Sequence, residues 1–111
     1  MFASYNRVDN VVAVVDYNRI QLDGFVKDIL DLEPLADKWK SFGWHVIEIN
    51  GHDIAELQKA FSEAAGVKGK PTCVLAHTIK GKGVSFMENN PKFHGTAPTR
   101  EECAKAIQEL A

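Results

Sequence analysis

Hydrophobic positions along this chain alternate between two spacings. A continuous apolar run at Val11–Val15 and strand-like segments at Val46–Ile49 and Thr72–Ile79 recur along it, and the segments between them carry apolar residues at helical intervals. The first run predicts a strand buried on both faces, as in parallel sheets covered by helices. The first run, VVAVV, breaks at Asp16-Tyr17-Asn18. The second ends at Asn50-Gly51, and the third empties into Lys80-Gly81-Lys82-Gly83. Helices are predicted between and after them. Pro34 suits a first helical position, Leu35, Trp39 and Phe42 make a stripe, and Gly43 stops it. Asp53 with Glu56 forms a box-like cap ahead of Leu57, Ala60, Phe61 and Ala64, with Gly66 as the stop. Thr99 with Glu102 repeats the capping pattern ahead of Cys103, Ala106, Ile107 and Leu110. Residues 1–8, with Phe2 and Tyr5 on one face, resemble the last turns of a helix leaving through Asp9-Asn10. Strands alternating with amphipathic helices predict an α/β fold, here part of a doubly wound parallel sheet of three strands.

Two long connections follow predicted strands, one from Tyr17 to Glu33 and one from Lys80 to Pro98. Open α/β sheets bind ligands at the carboxyl ends of their strands, and long ordered loops there are commonly functional. Asp16 and Asn18 are candidates for such chemistry, or else they satisfy backbone groups in a turn. Gly81-Lys82-Gly83 is a candidate phosphate cradle with Lys80 and Lys82 as added charge, or else an ordinary glycine turn. His94, between Phe93 and Gly95, is a candidate ligand contact. His52 and His77 read as structural, and His45 opens a strand without a chemical signal.

Composition narrows the partners. The net charge is −2 with basic residues scattered, which argues against nucleic acid and anionic membranes. No apolar run approaches a membrane span, and the N-terminus lacks a secretory pattern. The two cysteines, Cys73 and Cys103, lack CxxC spacing and read as two buried thiols of a cytoplasmic protein.

Three segments in order carry a resemblance: DYNRIQLDG (residues 16–24), LEPLADKWKSFGWHVIEINGHD (32–53) and KGKPTCVLAHTIKGKGVSFMENNPKFHG (68–95). They resemble the thiamine-diphosphate-binding region of transketolases, most closely the separate N-terminal subunit of transketolases encoded as two chains. The likeness runs nearly the whole length and implies a partial thiamine-diphosphate-binding domain over residues 1–111. It implies Mg2+ or Ca2+ as the metal, with Asn18 matching the motif asparagine and Ile20 the position that offers a backbone carbonyl. Leu22 and Lys80 then fall near the cofactor, and His94 matches a histidine contacting cofactor and sugar, the catalytic candidate. The implied reaction is transfer of a two-carbon ketol unit between sugar phosphates, as in the pentose phosphate pathway. Complementary transketolase segments and a homo-oligomer are the implied partners.

The family's metal motif also contains Gly-Asp-Gly, which occurs nowhere in this sequence. The chain is expected to begin after that motif and to lack the pyrimidine-binding domain. Losing a carboxylate anchor predicts weak or absent binding of cofactor and metal, and an isolated chain without activity. Two other readings compete. One is a non-catalytic, truncated domain that self-associates through uncovered sheet edges. The other is a fragment of the related deoxyxylulose-phosphate synthase, which accepts pyruvate. A dinucleotide binder ranks last because GxGxxG does not follow the first strand.

Overall fold

The computed structural model describes residues 1–111. In chain order its elements are α1 (Phe2–Tyr5), β1 (Val12–Tyr17), β2 (Ile20–Gln21), β3 (Gly24–Phe25), α2 (Val26–Ile29), α3 (Leu35–Ser41), β4 (His45–Asn50), α4 (Ile54–Gly66), β5 (Thr72–His77), a 3-10 turn (Pro91–His94) and α5 (Arg100–Leu110). The alternation of strands and helices is as predicted. The 17–33 connection, however, is not a plain loop, because it folds into the β2–β3 hairpin and α2.

The chain divides into two compact units. The first holds Met1–Tyr17 and Leu32–Thr78, and the second Asn18–Asp31 and Ile79–Ala111. The first unit is built on a parallel sheet in the order β1-β5-β4. The central strand is therefore β5, and Cys73, Val74, Leu75 and Ala76 on it are all buried. The Val11–Val15 run is a correction to the sequence reading. It belongs to an edge strand, with Val12 38% and Val14 51% exposed. Its apolar residues make it fit for burial, but only one neighbour, β5, is hydrogen-bonded to it.

Register aligns Val14, Val74 and Ile47 in one row and Asp16, Ala76 and Ile49 in another. Ile49, Val74 and Ala76 form a core cluster with Ala60 of α4, and Ile47 and Leu57 pack against it. Small side chains at Ala60 and Ala64 let the helix lie close to the sheet, while Phe61 of the predicted stripe is 47% exposed. Asp53 caps α4 by accepting from the backbone N–H of Ala55 (2.8 Å) and Glu56 (3.1 Å). The return half of the expected box goes elsewhere, since Glu56 accepts from Asn50 N–H at 2.7 Å. Pro34 sits just before α3, not inside it. Gly43 ends that helix at φ +83°, a left-handed conformation that L side chains rarely adopt.

In the second unit, α5 carries the predicted capping box in full. Thr99 N–H donates to Glu102 Oε2 (2.8 Å), and Glu102 N–H donates to Thr99 Oγ1 (3.1 Å). Glu109 reaches back to the Lys80–His94 segment and accepts from both Ser85 N–H (2.5 Å) and Ser85 Oγ (2.9 Å). Phe86 stacks edge-on against Phe93 (5.8 Å), and the Lys105 ammonium lies 5.2 Å from the Phe86 ring centre. The predicted stripe of α5 faces outward, with Ile107 and Leu110 each 63% exposed. Cys103 is exposed too, so only Cys73 of the two thiols is buried.

Candidate functional site

The carboxyl ends of β1, β5 and β4 place Tyr17, His77 and Asn50 in register. Side chains stitch this edge together. Thr78 Oγ1 donates to Asp16 Oδ1, and Tyr17 OH donates to Glu33 Oε1 at 2.7 Å. His77 pairs with Glu48 at 3.2 Å and meets the Tyr17 ring edge-on at 5.7 Å. Its Nδ1 is buried without a hydrogen-bond partner. His45, at the start of β4, pairs with Glu63 at 2.8 Å.

The residues singled out for chemistry, Asn18, Ile20, Leu22, Lys80 and His94, all belong to the second unit. Asn18 Oδ1 accepts from Ile20 N–H at 2.9 Å, closing an Asx turn just after the buried Tyr17. Asn18 thus satisfies one backbone N–H and keeps a second acceptor position at Oδ1, while Asp16 is engaged by the Thr78 hydroxyl. Arg19, at φ +62°, then turns the chain so that Val26 N–H reaches its carbonyl at 2.9 Å. Leu22 lies between β2 and β3 at φ +46° and is 58% exposed. A left-handed residue with a side chain costs roughly 1–2 kcal/mol, so the hairpin holds an apolar side chain outward against that strain.

The Gly81-Lys82-Gly83 turn is not a vacant phosphate cradle. Its N–H groups are taken internally: Lys82 by the Ile79 carbonyl (3.2 Å), Gly83 by Glu88 Oε1 (3.0 Å) and Val84 by the Gly81 carbonyl (3.1 Å). A side chain on Gly81 would meet the Met87 carbonyl oxygen at 2.5 Å, so this glycine serves a tight turn. Lys82 pairs with Glu88 at 3.7 Å, whereas the Lys80 ammonium has no carboxylate in range. Asn90 caps the 3-10 turn by accepting from Lys92 N–H at 3.0 Å, with Pro91 at its start.

That turn brings His94 to the site. A cavity of about 430 Å³ is lined by Leu22, Asp23, Pro91, Lys92, His94 and Gly95. Of the five expected residues the cavity gathers Leu22 and His94; Asn18, Ile20 and Lys80 do not line it. Asp23 and Lys92 join the lining without having been singled out by sequence. The available signal was local, since Asn90-Pro91 opens a tight turn and so aims the residues after it. Asn18 Oδ1 and the Ile20 carbonyl are hard oxygens of the type Mg2+ or Ca2+ takes, but both are neutral. No group of three or more His, Cys, Asp or Glu side chains is placed to hold a metal. The donor type fits a divalent cation, and the donor number covers only a minority of its shell.

A parallel sheet in the order β1-β5-β4 with helices between its strands defines an α/β fold of the doubly wound class. The particular family follows from comparison with known proteins. The family model of the transketolase thiamine diphosphate binding domain matches residues 1–111, and the chain belongs to that family. It is 46% identical over 110 residues to the 6-deoxy-6-sulfo-D-fructose transketolase subunit SqwG of Clostridium sp. (strain MSTE9), covering 99% of this chain and 40% of that protein. It is 37% identical over 111 residues to an apulose-4-phosphate transketolase subunit of Phocaeicola vulgatus, covering 100% of this chain and 40% of the relative. Among solved structures it superposes on transketolase from Campylobacter jejuni with a TM-score of 0.89 at 30% identity, over 97% of this chain and 17% of that one. The chain thus spans about 40% of the length of these two subunit relatives.

Proposed function

We infer that this chain supplies part of the thiamine-diphosphate side of a transketolase, which moves a two-carbon ketol unit between sugar phosphates together with a complementary subunit. The family match over the whole chain carries this reading. The shared cavity of Leu22 and His94 supports it locally. Relatives named as transketolase subunits support the need for a partner. Residues 1–111 are then a partial cofactor domain, placed in the cytoplasm.

In the proposed arrangement Asn18 and Ile20 offer oxygens to Mg2+, Leu22 packs on the cofactor, and the Lys80 ammonium balances diphosphate charge. His94 is the catalytic residue, contacting both cofactor and sugar substrate. Thiamine diphosphate, when bound, supplies the electron sink that ketol transfer requires. Because Gly-Asp-Gly is absent from the sequence, the isolated chain is proposed to bind cofactor weakly and to be inactive. Calorimetric titration of thiamine diphosphate with Mg2+ into the chain is expected to show no micromolar binding. A ketol-transfer assay reconstituted with a Gly-Asp-Gly-bearing segment plus the complementary subunit tests the roles. Activity that survives Asn18→Ala combined with His94→Ala refutes the site assignment. The uncovered edge of β1 and the outward face of α5 also support association, with a second copy or with the complementary subunit.

A further inference from the structure

The chain leaves the first unit after Tyr17, returns to it at Leu32 and leaves again after Thr78. Two side-chain bonds lie beside these three points. Tyr17 is buried, its ring meets His77 edge-on, its carbonyl accepts from Thr78 N–H at 3.3 Å, and its hydroxyl donates to Glu33 Oε1 at 2.7 Å. Glu33 is engaged on its other oxygen too, since Oε2 accepts from Leu35 N–H at 3.1 Å where α3 begins. One carboxylate therefore joins the last residue of β1 to the start of α3, across the excursion of residues 18–31 that carries Asn18, Ile20 and Leu22. The second bond, from Thr78 Oγ1 to Asp16 Oδ1, ties the root of the Lys80–His94 segment to the same strand. Packing against His77 asks only for an aromatic ring at position 17, which phenylalanine would supply. The hydroxyl is what Glu33 uses.

We propose that Tyr17 and Glu33 are positioning residues for the loop that offers oxygens to the cation. Their bond closes the neck of the 18–31 excursion and so fixes Asn18 Oδ1 and the Ile20 carbonyl before any ligand arrives. This rests on the transketolase reading and adds to it two residues that act through Asn18 and Ile20. The physical reason is loop closure. Joining the two ends of a loop removes conformations from everything between them. The bonds inside the excursion, Ile20 N–H to Asn18 Oδ1 and Val26 N–H to the Arg19 carbonyl, each 2.9 Å, set its local turns and inherit their placement from the neck. Partners that orient metal ligands from behind change metal affinity about 10- to 100-fold when removed.

The test is amide hydrogen exchange followed by NMR, with neither metal nor cofactor present, on the chain and on Tyr17→Phe, Glu33→Ala and the double variant. Tyr17→Phe keeps the ring and removes only the donor. It is expected to speed exchange at Ile20 and Val26 about tenfold while Val74 and Leu75 of β5 stay unchanged. Glu33→Ala should do the same at Ile20 and Val26, and the double variant no more than either single one, because both remove one bond. Unchanged exchange at Ile20 and Val26 in Tyr17→Phe, an equal rise at Val74 and Leu75, or additive effects in the double variant would overturn the proposal. In the reconstituted ketol-transfer assay, Tyr17→Phe should raise the Mg2+ concentration for half-maximal rate about tenfold, and an unchanged requirement overturns the positioning role. Exchange is read without cofactor, so its failure leaves the ketol-transfer reading intact. A chain that shows no ketol transfer likewise leaves the exchange result to decide whether the neck is closed.

Discussion

Val14 and Val74 are the same residue type, in the same register row and in adjacent strands, yet one is 51% exposed and the other fully buried. Truncating each to alanine therefore isolates burial from chemistry. At Val74 the two lost carbons forfeit about 0.8 kcal/mol each in transfer free energy. Ile49, Ala60 and Ala76 bound the space they leave. An unfilled volume of roughly 40 Å³ adds about 1 kcal/mol, so Val74→Ala should cost about 2.5 kcal/mol. At Val14 half the surface already meets water and no closed void forms, leaving a cost of about 0.8 kcal/mol. Urea unfolding followed by circular dichroism should show the two midpoints clearly apart. For a chain this size the melting temperature should fall by roughly 10 °C for Val74→Ala and about 3 °C for Val14→Ala. Equal costs at every protein concentration would refute the placement of β1 at an edge and of β5 at the centre. If the costs converge only as concentration rises, the edge is being covered by a second copy.

Two further outcomes follow from the titratable groups. Burial pushes the Cys73 thiol up to about 11, whereas Cys103 is exposed, so a disulfide reagent at pH 8 should modify Cys103 alone until the protein is unfolded. Native-state modification of both at one rate would contradict the burial of β5. Glu109 is held below its ordinary value of 4.5 chiefly by the Ser85 backbone N–H, and Glu102 chiefly by the Thr99 backbone N–H. A depressed folded-state value adds stability above the unfolded value and loses it as pH falls through the folded one. Carboxyl NMR should therefore place both midpoints below 4.5, and α5 should loosen in acid below that pH. Midpoints at or above 4.5 would show that these two bonds do not persist in solution.

The sheet is largely legible in the sequence because its cause is local. Apolar runs, the Asp53 and Thr99 caps and the Gly43 stop all act within a few residues of themselves. Strand order is not legible, and so the Val11–Val15 run reads as a fully covered strand when it lies at an edge. Hydrophobicity says that a strand tolerates burial; only pairing says which strand receives it, and β5 sits between the other two. The same limit explains α5, whose stripe is sound in period while Ile107 and Leu110 face outward. The Gly81–Gly83 turn is ambiguous for a different reason. Glycine marks a conformation, but which acceptor its N–H groups find depends on Ile79, Gly81 and Glu88 folding back onto them.

Left-handed backbone in the second unit is confined to two segments. Every left-handed residue of the second unit lies in the hairpin or the Lys80–His94 segment: Arg19, Leu22, Gly81, Gly83 and Asn89. At the glycines the conformation is nearly free, and the turn explains it. At Leu22 it is not free. An unstrained hairpin needs no leucine there, and a leucine 58% open to solvent recovers little through burial. What the residue does provide is an apolar wall of the cavity that His94 also lines. Under the proposed function, that wall is the surface on which the cofactor packs. Asp23 is carried to the same surface by the same turn.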